Sequence, residues 1–227
     1  MCEKSQEERN TEIRKKMLDL EEVEIGPVPD DSPWIKTIRV SYLQDKTLKS
    51  WDMMMSHEGV AIIVFNTTRK KLIFVRQLRP AYYIAALPES DRNSSKVDVK
   101  KYPATLGLTL ELCAGMVDKD KSTVEIAVDE LREECGYEAP PSAFEKISTY
   151  RSSVVSSTSG QTLFYVEVTD EMQKHKGGGE DSEGELIEIV EMSVEEAKSY
   201  ANSGEVQSLT FLYGVTWFLL NKQNRYL

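Results

Sequence analysis

The sequence predicts an α+β protein in which a mixed β-sheet is packed between helices. Strand-like segments recur along the chain and are separated by turn sequences such as "NTTRKK" (66–71). Helical patterns occur at 122–136, 193–202 and 206–222. Strands and helices do not alternate regularly, as a fully parallel βαβ sheet would require. We therefore expect one sheet covered by helices.

Length and charge limit the classes of function. A chain of 227 residues with 40% hydrophobic residues suits one globular domain with an appendage. Its formal net charge of −10 opposes binding to nucleic-acid phosphates or anionic membranes through a basic face. An anionic substrate would need a local cation, and a divalent metal is the obvious candidate.

The cysteines and histidines indicate a reduced chain. Cys2, Cys113 and Cys135 form no CxxC pair, and His57 and His175 cannot build a His-rich zinc site alone. The N-terminal "MCEKSQEERNTEIRKKM" is too polar for a signal peptide, and no run approaches the roughly 18 apolar residues that span a bilayer. We expect a soluble, cytoplasmic protein.

The domain is expected to begin after an N-terminal appendage. Residues 1–34 read as a charged segment and linker: residues 3–20 carry a weak helical pattern, and 21–34 is acidic and broken by prolines. Residues 35–227 then form the domain. The polar stretch 84–105 is either disordered or functional, and 174–185 is a flexible acidic loop. The predicted strands are 35–43, 50–55, 59–65, 72–77, 108–114, 144–151, 161–168 and 186–192.

The clearest helix begins at Ser122. Ser122 and Glu125 fit a capping box, and Gly136 is a typical C-terminal stop. The spacing of apolar residues gives a core face made of Val124, Val128, Leu131 and Cys135.

Three glutamates lie beside that face. Glu130, Glu133 and Glu134 are i, i+3 and i+4 neighbours, and like charges at this spacing destabilise a helix by about 0.2–0.5 kcal/mol per pair. A solvated acidic face is one explanation, and a hard divalent cation such as Mg²⁺ bound between them is the other. Gly115 before the helix allows a sharp turn, which would offer the Ala114 carbonyl as a further oxygen ligand.

Residues 115–137 resemble the Nudix box, GX5EX7REUXEEXGU, where U is a bulky apolar residue. The matching positions are Gly115, Glu130, Leu131, Glu133, Glu134, Gly136 and Tyr137. Lys121 stands where the family has glutamate, and Asp129 where it has arginine. Both charges are inverted, so we expect a salt bridge of reversed polarity between them.

The resemblance extends over about residues 35–222, through blocks such as "LELCAGMVD", "GQTLFYVEVTD" and "YGVTWFLLN". These blocks are similar to the nucleoside-diphosphate-sugar branch of the Nudix hydrolases. The resemblance implies a Nudix fold and a homodimer with residues 35–55 between subunits. It also implies Mg²⁺-dependent hydrolysis of a nucleotide sugar, with Mn²⁺ as the alternative metal. UDP-glucose, giving UMP and glucose 1-phosphate, is the first expected substrate.

Two alternatives remain open at this point. One is an ADP-ribose or ADP-sugar pyrophosphatase. The other is a Nudix-fold nucleotide-binding module whose Lys121 and Asp129 mark lost catalysis. The repulsive glutamate cluster favours an enzyme, because a binding module has no need to keep it.

The resemblance also implies roles for individual residues. Glu130, Glu134 and the Ala114 carbonyl are expected to bind metal, and Glu133 is either a further ligand or a base. Glu183 and Glu185, in the late acidic loop, are the candidates for activating water.

The substrate-binding candidates come from residue chemistry. Arg79 and Arg76 lie at a strand end and suit bidentate phosphate recognition. Glu111 either holds a sugar hydroxyl or orients Arg79. Trp51 either stacks on a nucleobase or packs in an interface.

Overall fold

The computed structural model of the chain describes residues 5–226, and only the backbone of Asp181. Residues 1–4, which include Cys2, and residue 227 lie outside the described residues, although the predicted segments 1–34 and 35–227 include them. The strands are β1 Ile35–Gln44, β2 Thr47–Ser56, β3 Gly59–Asn66, β4 Lys71–Leu78, β5 Leu108–Glu111, β6 Cys113–Met116, β7 Glu145–Arg151, β8 Gly160–Val168 and β9 Glu188–Ser193. The α-helices are α1 Gln6–Met17, α2 Pro80–Ala86, α3 Glu89–Arg92, α4 Thr123–Cys135, α5 Val194–Ala201 and α6 Leu209–Asn221.

The main sheet has a split in its middle. Its path is β5-β4-β3-β8-β7, with β6 also paired to β3 and β9 to β4. Strands β3 and β4 pair only over 64–66 and 71–73 and then diverge. Beyond that point β6 pairs with β3 and β5 pairs with β4, both antiparallel. The segment 108–116 therefore bridges the two diverging strands.

Strand β3 explains why helices cover both faces of the sheet. Val60, Ile62 and Val64 belong to a core shared with α4, whereas Ala61 and Ile63 belong to a second core shared with α5 and α6. A strand buried on both faces reads as a continuous apolar run, which is the pattern of 59–65. The predicted α+β class, a mixed sheet between helices, is confirmed.

Helix α4 begins and ends as its sequence predicts. The Ser122 side chain accepts a hydrogen bond from the Glu125 N–H, and the Glu125 side chain accepts one from the Ser122 N–H. Gly136 takes a left-handed conformation with φ of 79°. The buried face differs in detail from the prediction, because Val124 and Val128 are only half-buried. Its fully buried apolar residues are Ile126, Ala127, Leu131 and Cys135.

Other segments differ from their predicted form. The single strand expected at 108–114 is two strands, because the chain changes partner from β4 to β3 at Leu112. The stretch 84–105 contains the end of α2 and all of α3, and a 3₁₀ turn spans 104–107. Residues 181–183 form another 3₁₀ turn within the acidic loop.

Strands β1 and β2 form a separate two-stranded hairpin. Met54 joins it to the loop after β7: its N–H donates to the Ser156 carbonyl at 2.8 Å, and its carbonyl accepts from the Thr158 N–H at 3.0 Å. The register places Val40 opposite Trp51 and Arg39 opposite Asp52. Since facing residues share one side of a sheet, the hairpin has an apolar side and a polar side.

None of the helices that the structure describes is long and apolar enough to cross a bilayer.

Candidate active site

A cavity of about 390 Å³ lies where β3 and β4 diverge. Its walls come from the ends of β3 and β4, from the bridging segment 108–116, from α4 and from the acidic loop before β9. The cavity brings together most of the residues expected from the sequence, which are Arg79, Glu111, Ala114, Glu130, Glu133, Glu134, Glu183 and Glu185.

Glu134 is the most buried of these carboxylates, with 2% of its surface exposed. Its Oε2 accepts a hydrogen bond from the Ala114 N–H at 2.9 Å, which ties α4 to β6. Burial, followed by the negative charge of Glu130, raises the pKa of Glu134 well above its ordinary value. Ionising this side chain is therefore costly unless a cation compensates its charge.

Glu130 lies against Gly115. A Cβ added at Gly115 would overlap the Glu130 carboxylate, so only glycine leaves space for that side chain. Burial raises the pKa of Glu130 to about 7, with further contributions from the negative charges of Glu133 and Glu185. The first glycine of the box thus makes room for the first of the three helix glutamates.

The remaining carboxylates surround this pair. Glu133 accepts a hydrogen bond from Arg132 Nη2 at 2.7 Å. Glu185 Oε2 accepts one from the Glu180 N–H at 3.0 Å. Glu183 ends the 3₁₀ turn and is exposed, so it remains open to solvent and substrate.

The residues fit a divalent cation by their chemistry. All the donors are oxygens, which Mg²⁺ prefers, and the pKa values of Glu130 and Glu134 are raised by burial and then by neighbouring negative charge, both of which a bound cation would offset. Within residues 5–226, however, no three acidic, histidine or cysteine side chains already converge as a metal site.

Arg79 and Glu111 form an ion pair that also lines the cavity. Arg79 Nε and Nη2 donate to the two carboxylate oxygens of Glu111 at 2.9 and 2.8 Å. Burial acts to raise the pKa of Glu111, but the hydrogen bonds and charge of Arg79, together with a hydrogen bond from Thr109, outweigh it and the net pKa is lowered. The pair stays ionised, and the guanidinium is held in a fixed orientation.

Two of the expected substrate contacts do not line the cavity. Arg76 Nη1 donates to both carboxylate oxygens of Glu188, at 3.1 and 3.2 Å, and this pairing turns it away from the cavity. Trp51 lies on the hairpin, where its Nε1–H donates to the Val155 carbonyl at 2.7 Å. Its side chain is 47% exposed.

Other polar residues reach the cavity without having been expected there. Lys119 lies in the loop before α4; burial acts to lower its pKa, but Glu133 and Asp118 outweigh this and the net pKa is raised. Gln161, Ser208 and Thr210 line the far wall. Gln161 stands opposite Gly59 in the β3–β8 register. No sequence motif marks it, so only the folded structure reveals that it lines the cavity.

The inverted pair of the box makes the expected contact. Lys121 Nζ lies 2.5 Å from Asp129 Oδ2. Arg132 Nη2 lies 3.6 Å from the other oxygen, Asp129 Oδ1. The salt bridge of reversed polarity expected between these two positions is therefore present.

Comparison with known proteins places the chain among pyrophosphatases. It is 36% identical to uridine diphosphate glucose pyrophosphatase from Bos taurus over 197 residues, 82% of this chain and 89% of that protein. The enzyme of the same name from Mus musculus matches to the same extent. GDP-mannose pyrophosphatase from Cronobacter sakazakii is 29% identical over 149 residues, 66% of each protein. No family model matches the chain. The identity and coverage of these relatives, together with the box residues gathered around one cavity, show that the chain belongs to the Nudix hydrolase family.

Proposed function

We propose that the chain hydrolyses the pyrophosphate bond of a nucleoside-diphosphate sugar, with UDP-glucose as its preferred substrate. The observation that carries the proposal is the cluster of Glu130, Glu133 and Glu134 around Ala114 and Gly115 in one cavity. The relatives that match most of the chain are named as UDP-glucose pyrophosphatases, and more distant ones as GDP-mannose pyrophosphatases. Both names describe cleavage of the same kind of bond.

The reaction replaces one phosphorus–oxygen bond by another. The oxygen of a water molecule bonds to one phosphorus, and the bond from that phosphorus to the bridging oxygen breaks. The bridging oxygen leaves with the other phosphate, so the products are a nucleoside monophosphate and a sugar 1-phosphate. Glu183 or Glu185 accepts the proton of the water, and Glu133 is the third candidate base.

Glu130, Glu134 and the Ala114 carbonyl are proposed to hold Mg²⁺, with Glu133 as a further ligand and Mn²⁺ as the alternative metal. When bound, the cation lowers the pKa of water and stabilises charge on the phosphate oxygens. The two raised carboxyl pKa values support this assignment. Gly115 leaves the space that the Glu130 side chain occupies.

The other polar residues that line the cavity are proposed to bind the substrate. Arg79, already oriented by Glu111, and Lys119 offer positive charge to the phosphates. Gln161, Ser208 and Thr210 offer hydrogen bonds to sugar or ribose hydroxyls. A cavity with so few cations and so many acids suits a substrate that arrives with a divalent metal.

The chain is proposed to act as a homodimer through the hairpin of β1 and β2. Ile38, Val40, Trp51 and Met53 form the apolar side of the hairpin, and Val40 and Trp51 are 40% and 47% exposed. Such a side is typical of a surface that another protein covers. In the dimer, Trp51 would reach the substrate of the partner, which is the role still proposed for it.

The proposed compartment is the cytoplasm. Both cysteines that the structure describes, Cys113 and Cys135, are free thiols, as expected in a reducing environment.

The test measures UMP from UDP-glucose, GMP from GDP-mannose and AMP from ADP-ribose, with and without Mg²⁺. The wild type and Glu134→Gln are compared. We expect Mg²⁺-dependent UMP release that falls at least about 100-fold in the variant, because a ligand charge is lost. Faster AMP or GMP release would transfer the proposal to that substrate. Binding of nucleotide sugar without turnover by the wild type would refute the enzyme and favour a binding module.

The water-activating glutamate is identified by Glu183→Gln and Glu185→Gln. The variant that lacks the base should show a lower kcat with little change in KM. Its pH–rate profile should also have a flatter acidic limb. Equal, small effects in both variants would leave Glu133 as the base.

A further inference from the structure

Helix α1 packs on the strand that follows the acidic loop. The Asn10 side-chain amide donates to the Ile189 carbonyl at 2.7 Å, and Arg14 Nε donates to Glu188 Oε2 at 3.0 Å. Met17, the last residue of the helix, is 4% exposed. A helix of 12 residues with a weak apolar face is marginal on its own, so these contacts hold it in place.

Glu188, the first residue of β9, is held from two sides. Its carboxylate is almost completely buried, and it receives hydrogen bonds from Arg14 of α1 and Arg76 of β4. Arg14 also makes a second, Nη2–Oε1 contact, so its contact with Glu188 is bidentate. The end of the acidic loop is therefore fixed between the sheet and α1.

The beginning of the same loop has little stiffness of its own. Gly177, Gly178 and Gly179 follow one another with φ values of 62°, 104° and 93°. Glycine adopts such values freely but also has the widest choice of other conformations. Neighbouring groups must therefore decide where this end of the loop lies.

Those neighbouring groups belong to α4 and α1. The Gly178 N–H donates to the Glu134 carbonyl at 2.9 Å, and the Gly179 N–H donates to the Glu133 carbonyl at 3.0 Å. On the other side, Ile13 of α1 covers Gly178: its Cδ1 lies 3.2 Å from where a Cβ would be. Helix α1 thus contacts both ends of the segment that carries Glu183 and Glu185.

We infer that α1 is a positioning element for the acidic loop. Arg14 acts through Glu188 at one end, and Ile13 acts on Gly178 at the other. Together they keep Glu183 and Glu185 facing Glu130 across the cavity. This inference rests on the proposed function, in which those glutamates take part in hydrolysis. Arg14 and Ile13 do not line the cavity, so they are positioning residues.

The test compares Arg14→Ala with Lys15→Ala. Lys15 is the next residue of α1, carries the same charge and has no side-chain ion pair among the described residues. We expect Arg14→Ala to lower kcat about tenfold or more with little change in KM, and Lys15→Ala to match the wild type. Arg14→Lys should recover part of the loss, because it keeps the charge but not the bidentate geometry.

Amide hydrogen exchange gives a readout independent of turnover. In Arg14→Ala we expect faster exchange at Gly178, Gly179 and Ile187, whose N–H groups hold the loop. The melting temperature of each variant shows whether the sheet itself is intact, and Ile13→Ala serves if Arg14→Ala fails to fold. Unchanged exchange in the loop, or a kcat equal to that of Lys15→Ala, would overturn the inference. A wild type without activity would refute the proposed function alone, since the exchange experiment still stands.

Discussion

The absence of a side chain at Gly115 leaves the space in which the Glu130 carboxylate lies. We expect Gly115→Ala to lower kcat/KM about 100-fold, because the new Cβ would displace the Glu130 carboxylate from the cavity. Steady-state kinetics at saturating Mg²⁺ measure this change.

Gly26→Ala is the matched control for Gly115→Ala. Gly26 has no heavy atom within 4 Å of a built Cβ and lies far from the box in sequence. Its activity should equal that of the wild type. A fully active Gly115→Ala variant would show that activity does not require the Glu130 side chain to lie against residue 115.

The ion pair of Lys121 and Asp129 is a second test at the residue scale. Exchanging the charges, with Lys121→Glu and Asp129→Arg together, should be tolerated better than either change alone. The expected coupling is about 0.5–1 kcal/mol, because Lys121 is 44% exposed in its side chain while Asp129 is mostly covered. Urea unfolding of the four proteins measures it.

Arg132 should enlarge the difference between the single and double variants. It already lies 3.6 Å from Asp129, so Asp129→Arg alone places two cations together, whereas the double variant supplies a carboxylate nearby. Raising the salt concentration should shrink the coupling, since the pair is near the surface. Additive effects at low salt would mean that the contact contributes no stability.

At the element scale, the β1–β2 hairpin carries the prediction of dimerisation. Val40→Asp places a charge on its apolar side and should convert the dimer to a monomer, because an unpaired charge is costly to bury in an interface. Analytical ultracentrifugation at micromolar concentration measures the change.

Ser41→Asp is the control for the hairpin. Ser41 is the next residue and points to the polar side, opposite Ser50. It should leave the dimer intact. A wild type that sediments as a monomer, or a dimer that survives Val40→Asp, would remove the hairpin as the interface.

Elements with local signals could be predicted from the sequence, whereas those that depend on distant partners could not. Helix α4 was predicted because Ser122, Glu125 and Gly136 cap it within its own segment. The break at Leu112 was not, since it arises where the chain exchanges β4 for β3 as its partner. The docking of α1 depends on Glu188, which is 174 positions from Arg14.

The candidate site divides in the same way. The three helix glutamates share a motif and could be found by spacing. Gln161 lies in β8, whereas Ser208 and Thr210 lie at the start of α6, and they meet only in the folded cavity. Arg76 looked like a phosphate ligand because it shares a strand end with Arg79, but its partner is the buried Glu188.

For the whole molecule, metal binding should appear as added stability. A cation that binds only the folded state stabilises it by about 2.7 kcal/mol at 100 times its Kd. In a chain of this size that corresponds to a rise of roughly 5–10 °C in melting temperature. Thermal melts in EDTA and in Mg²⁺ measure the shift, and Glu134→Gln should reduce it. An active enzyme with no shift would show that the metal arrives only with substrate.

The acidic wall of the cavity also affects how fast substrate arrives. Glu130, Glu133, Glu183 and Glu185 face a substrate that is itself an anion, in a chain of net charge −10. Electrostatic repulsion between these carboxylates and the substrate slows their encounter, and added salt screens this repulsion. At fixed Mg²⁺, kcat/KM should therefore rise with moderate ionic strength, whereas most enzymes that bind phosphates through cationic sites slow down. The carboxylates proposed to serve the chemistry would thus make the enzyme meet its substrate faster as the salt concentration rises.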